Sequence, residues 1–184
     1  MNIASPIKIP MRSSQAGFTA IELLVTLAVL AIIMSIAVPN FSQWITKTRL
    51  TSQANELVAD ILYTRSEAAS RGVQATLCPS IDGATCSGAN NWSLMRIVSI
   101  TSLGAATGSI AKTSSPLTSG NILRGTDNAG NSVNQITFNP YGGTTAGGNT
   151  LPFTLTLCSP NTTSGYIIAL PANGRPNIQK AVCP

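Results

Sequence analysis

The side chains that could take part in chemistry are few and unevenly distributed. The chain has no histidine, and its six acidic residues are outnumbered by eleven lysines and arginines. Beyond residue 70 the only carboxylates are Asp82 and Asp127. A hydrolase or transferase site normally needs an acid, a base or a metal cluster, and this part of the chain does not supply the residues for one. The inventory therefore predicts a protein that is not an enzyme and holds no metal or cofactor.

Four cysteines are the other reactive side chains, and all follow the apolar N-terminal segment: Cys78, Cys86, Cys158 and Cys183. An even number of cysteines behind an export signal favours disulfides formed in an oxidising compartment over free thiols. A zinc site is disfavoured, because the histidines and closely spaced cysteine pairs that zinc prefers are missing. Three connectivities are open. We favour Cys78–Cys86 and Cys158–Cys183, which pair near neighbours first and then a strand end with the chain end.

The second of these disulfides raises a geometric problem. The last three predicted strands are Phe153–Leu157, Tyr166–Leu170 and Ile178–Val182, and in a simple meander the outer two lie about 9–10 Å apart. A disulfide requires Cα atoms closer than about 7 Å. Cys158 and Cys183 both fall just past strand ends, so the chain end must curl across the middle strand for the pairing to hold.

The N-terminal apolar run covers residues 18–38, and its only ionisable side chain is Glu22. About 20 helical residues span a bilayer core. An ordinary secretory signal is cleaved after a shorter apolar region, whereas Gly17 precedes this one, so a cut there would leave the helix on the mature chain. A carboxylate in hydrocarbon costs a few kcal/mol without a partner, which makes Glu22 a functional candidate.

Beyond Pro39, where the helix could kink, apolar residues recur at steps of three and four and predict an amphipathic continuation. This stripe consists of Ala54, Leu57, Val58, Ile61, Leu62, Ala68 and Ala69. Glu56, Asp60, Arg65 and Glu67 lie largely off it and are interpreted as solvated charges. Arg71 and Gly72 form a plausible helix stop. One helix is therefore expected over residues 18–71.

After Gly72 the helical period disappears, and short β-branched segments alternate with Gly, Asn, Ser and Pro. The predicted fold is α+β, with a long helix packed on an antiparallel sheet. Besides the three strands already named, we expect strands at Val73–Leu77, Ser93–Ile100, Asn121–Leu123 and Gln135–Phe138. Loops are expected at Gly104–Gly120 and Gly125–Ser132, and a turn at Gly142–Asn149.

The segment Gly17-Phe18-Thr19-x-Ile21-Glu22-Leu23-Leu24 resembles the leader junction of type IV prepilins and type II secretion pseudopilins. The resemblance implies cleavage after Gly17 by a prepilin peptidase, N-methylation of Phe18 and transfer from the inner membrane into a helical fibre of pilins. The resemblance also implies that the new amine pairs with Glu22, on the same subunit or on a neighbour. Residues 1–17 would then be a leader, 18–38 and 39–71 two half-helices, and 72–184 the globular domain. Met11 is a second candidate start.

Further segments narrow the resemblance to minor pilins and pseudopilins of the FimT/FimU/GspH kind. They are Arg65-Ser66-Glu67-Ala68, Thr76–Cys86 followed by Trp92, Ile136–Gly142, and Tyr166–Leu170 followed by Asn173-Gly174-Arg175. The family has a pilin fold. It implies a minor pilin of a Gram-negative bacterium that helps start pilus assembly at or near the tip, or a type II secretion pseudopilin.

Some FimT-type minor pilins bind DNA through a Gly-Arg-x-Arg motif, which here reads Gly174-Arg175-Pro176-Asn177. The second arginine is replaced by Asn177. Lys180 and Arg124 are candidates to join Arg175 in a basic patch for double-stranded DNA, since phosphate contacts add up. The alternative is that Arg175 is a solvated turn residue.

Overall fold

A computed structural model describes residues 17–101, 108–145 and 149–183. The predicted leader, apart from Gly17, lies outside these residues, as do parts of the predicted loop 104–120 and turn 142–149. The elements are one helix, α1 (Ala20–Arg71), and nine strands: β1 (Gln74–Ser80), β2 (Met95–Thr101), β3 (Ser109–Ser114), β4 (Ile122–Thr126), β5 (Ile136–Phe138), β6 (Thr144–Thr145), β7 (Phe153–Cys158), β8 (Ser164–Leu170) and β9 (Asn177–Val182). The predicted α+β class, with a long helix packed on antiparallel sheet, is confirmed.

The chain divides into two compact units at Phe41/Ser42. In the first unit, α1 is apolar and its large hydrophobic side chains are exposed. An 18-residue stretch of this helix has a mean hydropathy of 2.7, and by length and composition the helix could cross a membrane. The helix continues through position 39, so the proline there does not end it.

In the second unit, α1 buries one face against the sheets. Leu50, Ala54, Leu57, Ile61 and Ala68 are almost fully buried and follow the expected three- and four-residue steps. The helix ends at Arg71, where Gly72 adopts a left-handed conformation (φ 66°) and the Val73 amide donates to the Ala68 carbonyl. This is the C-terminal arrangement that glycine favours.

Two predictions about this helix were wrong. Leu62, assigned to the buried stripe, is 45% exposed, and Ala69 is exposed too. Asp60, interpreted as a solvated charge, is fully buried and forms an ion pair with Arg96 of β2. The position of Asp60 in the helical repeat does place it on the buried face. Its charge is tolerated there because Arg96 of the sheet forms an ion pair with it.

Two antiparallel sheets cover the helix, with strand orders β3-β2-β1-β5-β6 and β4-β7-β8-β9. All seven predicted strands are present, with boundaries shifted by a few residues. The strands β3 and β6 were missed, because the sequence predicts a loop and a turn there. Both lie at sheet edges, and β3 is fixed by contacts with other elements, since Lys112 and Ser114 both donate to Asp60.

Candidate functional site

The first turn of α1 carries the candidate assembly residues. Thr19 is the N-cap and Glu22 the third helical residue, and the two form a reciprocal capping box. The Glu22 amide donates to Thr19 Oγ1 at 3.3 Å, while the Thr19 amide and hydroxyl donate to Glu22 Oε2 at 2.9 and 3.0 Å. The Thr-Ala-Ile-Glu spacing is a sequence signal for this cap, which the sequence analysis did not use. Phe18, directly before it, is 88% exposed.

Both bonds from Thr19 reach the same carboxylate oxygen. Glu22 Oε1 accepts no hydrogen bond within the part of the chain that the structure describes. The carboxylate can therefore cap its own helix and still offer an oxygen to another donor. An amine is the donor that cleavage after Gly17 would create one helical turn away.

Four cysteines form two disulfides, Cys78–Cys86 and Cys158–Cys183, which is the pairing that the sequence analysis favours. The last three strands do form the expected meander, with β8 between β7 and β9. The Cα atoms of Cys158 and Cys183 are nevertheless only 5.8 Å apart. The bridge crosses Gly165 of the middle strand, where a Cβ would lie 2.3 Å from Cys183 Sγ and 3.3 Å from Cys158 Sγ. Because glycine has no side chain, the disulfide can cross the strand at this position.

Arg65 joins two of the segments that carry the family resemblance. Its Nε donates to the Gly142 carbonyl at 2.7 Å. A Cβ on Gly174 would lie only 2.3 Å from that same carbonyl oxygen, so the turn 139–143 and the turn 171–176 pack directly on each other. Gly142 and Gly174 both have positive φ, which favours glycine. The structure therefore brings these motifs, distant in sequence, into direct contact.

The three candidate DNA contacts do not form one patch. Strand pairing aligns Lys180 with Tyr166, Leu157 and Leu123, whose side chains face the core side of the sheet. Because side chains alternate along a strand, Arg124 points to the opposite face. Its Nη1 donates to the Asn90 carbonyl at 2.9 Å. The expected grouping of Arg124 with Lys180 is therefore wrong.

Arg175 lies in the turn between β8 and β9, and it is exposed. Its amide donates to Asn173 Oδ1 at 3.0 Å, which fixes the turn backbone without using the guanidinium group. No salt bridge involves this guanidinium among the residues that the structure describes. Of the three candidates, Arg175 is thus the one that stands clear of the sheet faces.

Asp82 and Asp127, the two carboxylates after residue 70, stabilise the loops that contain them. The backbone amides of Thr85 and Ala84 hold the pKa of the Asp82 carboxyl well below its usual range. Asp127 is buried, and the amide of Thr150 and the side chain of Asn131 likewise lower its pKa. Because N–H and hydroxyl donors occupy these oxygens, the two carboxylates stabilise the loop conformations. Within the described residues, no cluster of three acids, histidines or cysteines could hold a metal.

Sequence reasoning missed residues whose roles depend on neighbours. Gly165 interrupts an apolar strand, a signal of close approach by another group, and Asp60 sits on an apolar stripe. Lys47 is the first cation after the apolar run. Lys47 lines a groove that Lys180 also lines.

Comparisons with known proteins agree with this architecture. A family model described as type II transport protein GspH matches residues 53–174, and one for the prokaryotic N-terminal methylation motif matches residues 12–38. The methylation motif implies processing by a prepilin peptidase and other pilins as partners. A search of curated proteins returns no match.

Solved minor pilins and pseudopilins have similar structures. The type IV minor pilin FimU of Pseudomonas aeruginosa, in two crystal forms, gives TM-scores of 0.54 and 0.55 at 19% identity, covering 71% and 74% of this chain and 92% of FimU. The minor pseudopilin EpsH from the type II secretion system of Vibrio cholerae gives 0.49 at 13% identity, covering 73% of this chain and 97% of EpsH. The FimU likeness supports the fold. With the GspH match covering most of the chain and the methylation motif at its start, this chain belongs to the GspH family of minor pilins and pseudopilins.

Proposed function

We propose that this protein is a minor type IV pilin, a structural subunit that helps to initiate pilus assembly at or near the tip. Before assembly it is stored as a single-pass protein in the inner membrane of a Gram-negative bacterium. Prepilin peptidase cuts after Gly17, and Phe18 becomes the methylated N-terminus. The observation that carries the proposal is the free oxygen of Glu22, one turn from the cleavage point in an apolar run, residues 18–38, that has no other charged side chain.

The proposed chemistry is an ion pair formed on assembly. A carboxylate in a bilayer is costly when unpaired, so a subunit with Glu22 gains stability when a cation reaches it. The amine of Phe18, from this subunit or from its neighbour in the fibre, supplies that cation. The pairing also sets the axial register of the subunit, because a shift along the helix separates the charges.

The globular domain supports a structural role for the mature subunit. Arg65 and the two disulfides fix its loops, and its late carboxylates are engaged by backbone amides. The two cysteine pairs and the Cys78–Cys86 segment favour the pilus branch. The alternative within the family is a minor pseudopilin of the type II secretion system.

Deletion of the gene, followed by complementation with the wild-type chain, tests the proposal. We expect fewer surface pili and reduced twitching in the deletion strain, both restored by the wild-type chain but not by Gly17→Leu, which blocks leader cleavage. Unchanged pilus number and twitching would contradict the proposal. Loss of type II secretion with normal pili would assign the protein to the pseudopilus instead.

DNA binding is a second candidate function, favoured by the exposed Arg175 and by an excess of cations. Within the described ranges every acid accepts a hydrogen bond or forms an ion pair, and the basic side chains there without a carboxylate partner are Lys47, Arg49, Arg65, Arg124, Arg175 and Lys180. Titration of the full chain in detergent with duplex DNA at low and moderate salt tests this function. Arg175→Ala should weaken binding, and no binding at low salt would end the hypothesis.

A further inference from the structure

A groove of about 470 Å³ lies between α1 and the β8–β9 edge of the second sheet. Lys47 and Thr51 line it from the helix, and Tyr166 and Lys180 from the strands. The Tyr166 hydroxyl and Thr51 Oγ1 are 2.8 Å apart. A smaller groove of about 250 Å³ adjoins it and shares Lys47 and Ser164. Two lysines and several side chains that carry hydroxyl groups therefore line one concave surface.

Among the residues that the structure describes, no side chain neutralises the charge on this surface. No acidic side chain lines either groove. Neither ammonium group forms a salt bridge or hydrogen bond in the ranges that the structure describes, whereas Lys112 is paired with Asp60 at 2.7 Å. An anion, above all a phosphate, is the ligand that suits a groove lined by two lysines and by no carboxylate among the described residues.

The helix indicates where such a phosphate would come from. Trp44 precedes Lys47 by three residues, so both lie on one face of α1, and Trp44 is 60% exposed. In sequence, Trp44 follows the end of the apolar run at Val38 by six residues. A tryptophan and a lysine just beyond an apolar span are typical of the membrane–water interface, where the phosphates of anionic lipids attract cations.

We propose that the groove of Lys47 and Lys180 binds the phosphate groups of anionic phospholipids in the membrane that stores the subunit. The inference rests on the membrane storage of the proposed function. Binding would hold the globular domain down on the membrane surface until assembly. This lipid contact is separate from the ion pair proposed for Glu22. The subunit must therefore break it when it leaves the membrane for the fibre.

The test measures the reactivity of each lysine in the full chain, reconstituted in phosphatidylcholine vesicles with or without phosphatidylglycerol. A membrane-impermeant amine reagent labels the outward-facing domains, and mass spectrometry quantifies each site. We expect phosphatidylglycerol to slow labelling of Lys47 and Lys180 about fivefold, the factor equivalent to about 1 kcal/mol per lysine at an anionic surface. Labelling of Lys112, the matched control, should not change. The protection should disappear at about 1 M NaCl, where the Debye length falls to about 3 Å.

A variant checks that the two lysines share the ligand. With Lys47→Gln, phosphatidylglycerol should protect Lys180 less than in the wild-type chain. The proposal would be overturned if Lys47 and Lys180 were each labelled at the same rate with and without phosphatidylglycerol. Protection by duplex DNA, with none by phosphatidylglycerol, would also overturn it and assign the groove to DNA. A chain that fails to float with vesicles would contradict membrane storage itself, whereas one that floats with unprotected lysines contradicts the lipid site alone.

Discussion

Arg96 Nε donates a hydrogen bond of 2.9 Å to Asp60 Oδ2, and both side chains are completely buried. Lys112 and Ser114 donate to the other oxygen of Asp60, each at 2.7 Å. This carboxylate therefore ties α1 to β2 and β3 at once. A buried ion pair is costly to break, because removing one partner leaves the other charged and without water.

Replacing Asp60 by alanine should therefore destabilise the globular unit by about 3–5 kcal/mol. Urea unfolding of the full chain in detergent, followed by the fluorescence of the buried Trp92, measures the loss. Arg71→Ala is the control, because it removes the exposed partner of an ion pair with Glu67 (2.6 Å) and should cost less than about 1 kcal/mol. Equal effects of the two substitutions would refute the structural role of Asp60.

Replacing Gly165 by alanine should prevent the Cys158–Cys183 disulfide. The added Cβ would lie 2.3 Å from Cys183 Sγ and 2.4 Å from the Leu157 carbonyl oxygen, so the bridge could not cross the strand. Loss of a bridge with a sequence separation of 25 should cost about 3 kcal/mol. Alkylation and mass spectrometry should find two free thiols per chain. The Cys78–Cys86 bridge is the internal control and should remain oxidised; a fully bridged variant would show that Gly165 is not required.

Substitutions of Glu22 separate helix capping from assembly. Glutamine at this position preserves a capping box but removes the charge, whereas alanine removes both. If Glu22 acts by pairing with the Phe18 amine, Glu22→Gln and Glu22→Ala should both fail to enter sheared pili, as detected by immunoblot. Thr19→Ala, which removes only the cap at a cost of about 1 kcal/mol, should still be incorporated. Normal incorporation of Glu22→Gln would mean that capping is the whole role.

Replacing Asp127 by asparagine should reduce the pH dependence of stability. The amide of Thr150 lowers the pKa of this carboxyl in the folded state, so its stabilising effect is complete above the unfolded pKa of about 3.9 and disappears as the pH falls further. The melting temperature of Asp127→Asn should lie below that of wild type at neutral pH, and the gap should narrow at about pH 2.5. Asn128→Ala, at the exposed neighbouring position, should melt with the pH dependence of wild type. A gap that stays constant with pH would contradict the pKa argument.

Much of the fold could be predicted because its signals are local. The three- and four-residue steps from Ala54 to Ala68 located the buried helix face, and Gly72 located its end. Strand β3 was not predicted, because its Lys112 and Ser114 donate hydrogen bonds to Asp60, which is far away in sequence. Asp60 itself was misjudged for the same reason, because its partner Arg96 lies on another element.

The sequence alone determined the N-terminal features, because Gly17, Phe18, Thr19 and Glu22 act within one helical turn and their spacing fixes their geometry. The tertiary structure decided which distant residues meet. The Cys158–Cys183 disulfide crosses its strand at Gly165, where a side chain would collide with it. Lys180 and Lys47 line one groove, whereas Arg124 points to the opposite face of the sheet. The physical reason is that strand order and register depend on packing across the whole domain, and a shift of one residue reverses the face that every side chain occupies.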